Sequence, residues 1–174
     1  MTNLNKLSGI NSMERRSMEQ GRVPYLNEEY FHMVYSPKQT ETRKTIESKF
    51  AERKELEKER LNLKVEKHDL VKQCDNLQKQ LKEVMAQPAT TPEEQEAKMS
   101  KINSIRGEQK RILEEIEQKN KEIEKKEEEI DAINVEINDL AEQIKNEEHK
   151  QTEEDKKELD RLNRKKVEDL KSQL

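Results

Sequence analysis

The chain has 174 residues, 43% of them charged and 29% hydrophobic, with no Trp and aromatics at only 3%. That composition argues against a catalytic cleft or a bound cofactor, since small-molecule sites need apolar and aromatic walls with a few convergent polar groups. The formal net charge of −4 lacks the basic excess of a dedicated nucleic-acid domain. The single cysteine, Cys74, permits no internal disulfide and fits a reducing compartment, and no run of about eighteen apolar residues marks a membrane span.

Residues 1–38 read as an irregular N-terminal arm. They contain Gly9, Gly21, Pro24 and Pro37 and show no sustained heptad. Their start lacks the apolar stretch of a secretory signal. Arg15 and Arg16, with Glu14 as first acid, leave a mitochondrial presequence as the lesser alternative to a cytoplasmic location, with cytoskeletal or ciliary association as the finer expectation. Tyr25, Tyr30, Phe31 and Tyr35 cluster here, and only Phe50 is aromatic elsewhere. Aromatics outside a heptad are candidate anchors for a partner groove; the competing role is to cap the open end of a coiled coil. A short helix is expected from Asn27 to about Val34, with the Asn27 amide as N-cap. Pro37 then disfavours helical geometry at Ser36. Arg15-Arg16-Ser17 and Ser36-Pro37-Lys38 are weak candidate phosphorylation strings, Ser17 and Ser36 being the acceptors.

Residues 39–86 read as a first coiled-coil helix, capped by Thr40 or Thr42. Leu56, Leu63, Leu70, Leu77 and Val84 recur every seven residues and are taken as the a series, with Ile46, Arg53, Arg60, Lys67, Cys74 and Leu81 as d. Residues 87–92, Gln-Pro-Ala-Thr-Thr-Pro, read as a loop. Pro88 should end the first helix near Met85 or Ala86. Pro92 suits the first position of the next helix, with Thr91 and Glu94 forming a capping box.

Residues 92–174 read as the second coiled-coil helix. Ile102, Ile116, Ile123, Ile130, Ile137 and Ile144 fall on one heptad series, broken only by Gln109, with Ile105, Ile112, Ile133 and Leu140 three residues behind its members. A stripe this narrow can be buried only against another helix. Gly107 falls on the outward face. After Ile144 the stripe fades, and apolar residues return out of phase at Leu159, Leu162, Val167, Leu170 and Leu174. Arg161, Arg164, Lys165, Lys166 and Lys171 form a basic C-terminal cluster, a candidate contact for phosphate, acidic tubulin-like tails or lipid head groups; favourable placement of cations at the negative end of a helix is the simpler reading.

Two heptad helices joined by a short Pro-containing loop suggest an antiparallel hairpin rather than a parallel dimer, which would set Arg53, Arg60 and Lys67 against their own copies. The expected register places Leu81 opposite Ile102, Leu77 opposite Ile105, Cys74 opposite Gln109 and Arg53 opposite Ile130, so that no layer pairs two cations. The first helix then runs out opposite about residue 144. The seam of Leu159, Leu162, Val167 and Leu170 is left to bind a partner, as are Tyr25, Tyr30, Phe31 and Tyr35. His32, His68 and His149 are far apart in sequence, which argues against a metal site.

The fold expected is therefore all-α: a long coiled coil, as an antiparallel helical hairpin with a longer second helix and an irregular arm. The function expected is that of a non-enzymatic structural or adaptor subunit of a larger assembly, cytoskeletal, ciliary or microtubule-associated, in a hetero-assembly or homo-oligomer. The alternative is a hairpin associated with a ribosome or RNA particle.

Overall fold

The computed structural model describes residues 23–174. Gly9, Gly21 and the Ser17 string lie outside them. The described chain holds three helices: α1 (Glu28–Val34), α2 (Glu41–Ala86) and α3 (Pro92–Ser172). Helices α2 and α3 pair as an antiparallel hairpin, as the heptads require.

The helix ends follow from side-chain capping. Asn27 is extended and accepts the Tyr30 N–H on its amide oxygen at 3.0 Å, which starts α1. Thr40 caps α2 by accepting the Arg43 N–H at 3.1 Å. Thr42 has another task, donating its hydroxyl to Glu147. Thr91 accepts the Glu94 N–H at 3.1 Å, but the return half of the expected box is displaced. The Glu94 carboxylate takes the N–H of Thr90, at 2.9 Å, together with the Thr90 hydroxyl. Those bonds, the Thr90 N–H foremost, hold the Glu94 carboxyl below its usual value. Lys98 reaches back to the carbonyls of Met85 and Gln87, which the end of α2 leaves without helical partners.

The chain forms two units. Among the described residues the first comprises 23–53 and 131–174, the second 54–130. In the second unit the buried apolar side chains are Leu81, Ile102, Ile112, Ile123 and Ile130. A Cβ at Gly107 would meet open space, in keeping with its outward position.

The bonds across the second unit fix a register different from the expected one. Gln109 donates to Gln78 at 3.0 Å. Lys119 meets Glu66 at 2.7 Å and Lys126 meets Glu59 at 2.8 Å. These partners lie nearly one helical turn further along than expected, and Cys74 falls opposite Ile112 rather than Gln109. The reason is arithmetic in the heptad: a to d is three residues and d to the next a is four. Arg53 precedes Leu56 by three, so the basic series of α2 occupies a and the leucines occupy d. With those letters exchanged, antiparallel a-to-d layers place Lys67 opposite Lys119 and Arg60 opposite Lys126. Two layers therefore do pair cations. Glu66 and Glu59 offset the repulsion: their hydrogen bonds raise the Lys119 and Lys126 ammonium groups above the ordinary value.

The first unit has the denser core. Ile46 and Phe50 of α2, and Ile133, Ile137, Ala141 and Ile144 of α3, are buried together with Phe31 of α1. Arg43, Phe50, Asn134 and Ala141 all occupy e positions. A two-helix seam would leave that column half open, and here Phe31 of α1 packs against its Arg43 and Phe50. Every described residue from Lys145 onward is exposed, which is where the first helix was expected to run out. Among the described residues no helix is long and apolar enough to cross a membrane.

Candidate functional site

The site lies where the arm meets the e-position column of the first unit. Phe31 is 0% exposed. Its ring stacks on Tyr35 with centroids 4.7 Å apart and meets Phe50 edge-on at 5.4 Å. The Arg43 guanidinium lies 5.0 Å from the Phe31 centroid, and it also donates to the Ser36 carbonyl. α1 alone has seven residues, too few for an isolated helix to persist in water. Its order comes from this packing.

Arg53 is the polar centre of the site. Its guanidinium is buried and donates to Asn134 Oδ1 at 3.0 Å and to the Leu26 carbonyl at 2.8 Å. It lies over the Tyr25 ring at 3.8 Å and 5.1 Å from the Phe50 centroid. One side chain thus holds α2, α3 and the arm together. Asn138 adds a bond to the Pro24 carbonyl at 3.1 Å, and the Ser36 N–H donates to Glu148 at 3.1 Å. Burial raises the Tyr35 phenol above its ordinary value, and Glu142, Tyr30 and Glu148 push the same way.

Of the four arm aromatics assigned to a partner, Phe31 is sealed against its own chain, and Tyr25 and Tyr35 join the same cluster through Arg53 and the Phe31 ring. Tyr30 is half-buried. A cap on the open end of the coiled coil, the competing reading, calls for packing of this kind. Ser36 lines a groove of about 530 Å³ together with Lys38, Thr40, Ile144 and Glu147. The four C-terminal residues assigned to a partner are a different case: Leu159, Leu162, Val167 and Leu170 are exposed at 58%, 48%, 50% and 55%. Arg161, Arg164 and Lys165 line an open groove that Asp160 and Glu168 share.

Sequence reasoning missed Phe50 and Arg43 as contacts of the arm and Asn134 as the partner of Arg53. The signal was present in their common e register, but an e position is read as solvent-facing unless a third segment is foreseen. It also missed a carboxylate–imidazole group. Glu28 and His32 of α1 and Glu47 of α2 place one ligand atom each within 4.8 Å of one another, with His32 Nε2 2.6 Å from Glu47 Oε1. The spacing of the three histidines does not reveal it, because the glutamate of α2 is brought near only by the fold. The chain matches no protein-family model, no curated protein and no solved structure.

Proposed function

We propose that this protein is a non-enzymatic coiled-coil adaptor, a structural subunit that joins a larger assembly through the C-terminal part of α3. The observation that carries this reading is the exposed row Leu159, Leu162, Val167 and Leu170. It continues a helix whose earlier apolar stripe is buried as far as Ile144. An apolar row at helical spacing is a surface for another helix. The aromatic arm, spent on its own chain, serves this reading by closing the open end of the hairpin. The near-balanced charge supports a protein partner over nucleic acid, and a cytoskeletal or ciliary scaffold is the assembly class proposed.

The test replaces Leu159 and Leu170 together by Arg. Both side chains are exposed, so the helical circular dichroism and melting of the purified chain should stay as in the wild type. Companions that co-purify with the wild-type chain should be lost. A double variant that keeps every companion refutes the assignment. Binding to RNA that weakens steeply with added salt would favour the particle-associated hairpin instead.

A further inference from the structure

Glu28 and His32 are four residues apart on α1, so their side chains rise from one face. Glu47 comes to them from α2. The His32 Nε2 atom lies 2.6 Å from Glu47 Oε1, and a Glu28 carboxylate oxygen completes a set of three ligand atoms within 4.8 Å. One nitrogen and two oxygen donors from two separate elements make the three-residue set that leaves a zinc ion one place for water. Calcium and magnesium want six or more oxygens, whereas imidazole with carboxylate suits zinc and its transition-metal neighbours. His32 is 43% exposed along its side chain, so an ion reaches it without any opening of the core. The Arg43 guanidinium stands 3.8 Å from the same Glu47 oxygen and opposes a second cation, which sets the affinity at a moderate level.

We propose that Glu28, His32 and Glu47 form a zinc site that clasps α1 to α2. Two of the three ligands ride on the helix that carries Phe31, and the third belongs to the surface on which Phe31 docks. The complete ligand set therefore exists only with the arm in place, so zinc binds the docked arm and holds it there.

Zinc chloride titrated into the untagged, reduced full chain, followed by calorimetry, should show one ion taken up per chain. Trypsin cleavage after the exposed Lys38 should slow with zinc and recover with a chelator, and magnesium should do neither. His32→Gln should weaken uptake by roughly tenfold or more, the scale of loss seen even for residues that only support a metal's ligands. Because His32 also pairs with Glu47 across the arm, Glu28→Gln is the second variant. Among the described residues the Glu28 carboxylate makes no hydrogen bond or ion pair, so the arm should stay docked while zinc uptake falls. His68→Gln and Cys74→Ser should bind as the wild type does. Uptake unchanged in Glu28→Gln and His32→Gln, uptake lost in Cys74→Ser, or no uptake at one equivalent each overturn the proposal.

Discussion

Replacing Phe31 by Ala tests whether the arm is held by one buried ring. The side chain is fully buried between Tyr35, Phe50 and the Arg43 guanidinium. Truncating a buried Phe to Ala costs about 3–5 kcal/mol, and the lost ring contacts are within that figure. In a closed core the neighbours would share this loss. Here the ring sits on a terminal arm, so the loss falls on docking, and an undocked seven-residue helix unfolds. At about 1.4 kcal/mol per factor of ten, the undocked population should rise by roughly a hundredfold or more. Amide hydrogen exchange reads this directly. The Phe31 N–H, bonded to the Asn27 carbonyl at 2.9 Å, and the Tyr35 N–H, bonded to the Phe31 carbonyl at 2.9 Å, should lose protection by that factor. The amides around Leu81 and Ile102 should keep theirs. Unchanged protection in α1 would refute the argument, and so would an equal loss throughout both units.

Arg53→Lys should release the arm by a similar route, because an ammonium cannot bridge Asn134 and the Leu26 carbonyl while lying over Tyr25; a destabilisation of about 2 kcal/mol or more at α1, read by exchange, is expected, and a wild-type profile would count against it. The register is open to disulfide trapping. Ile112→Cys should close a disulfide with native Cys74 within one chain under mild oxidation, since the cross-helix bonds set those two positions opposite one another in one layer. If Gln109→Cys alone pairs instead with native Cys74, the hairpin lies nearly a turn away from the alignment described. Acid should loosen the start of α3. The folded value of Glu94 is depressed below 4.5 by the Thr90 and Thr91 bonds, so its contribution is whole above the ordinary glutamate range and disappears as pH falls through the folded value. Glu94→Gln should remove that pH dependence of exchange at the first turn, and an acid response that survives the substitution would assign it elsewhere.

The heptads make much of this fold legible in the sequence. Isoleucine at seven-residue intervals leaves one way to be buried, and two prolines between Ala86 and Glu93 leave one place to turn. Asn27, Thr40 and Thr91 were readable as caps because each has an oxygen where a helix start has free N–H groups. The register was misread for a reason internal to the pattern. The leucines of α2 look like the dominant series, yet Arg53 and Leu56 are separated by the shorter heptad step, which makes the basic residues a. The arm site was only half visible. Phe31 announced itself by type, but its receptor is built from Arg43 and Phe50 of α2, and the Asn134 that holds Arg53 lies far along the chain on α3. Nothing local marks them as neighbours, and an arginine in that column reads as solvated surface until a third segment covers it.

Two-helix hairpins ordinarily unzip from the end away from their turn, where nothing follows to hold the strands shut. The Arg53 guanidinium changes which end is weak. Since it serves both helices and the chain that crosses them, parting α2 from α3 there also strips the Leu26 carbonyl and Asn134 of their donor. Opening at that end becomes an all-or-none event, and the slowest-exchanging amides of the molecule should be found flanking Arg53 and Asn134, with earlier melting among the lysine-bearing layers nearer the turn.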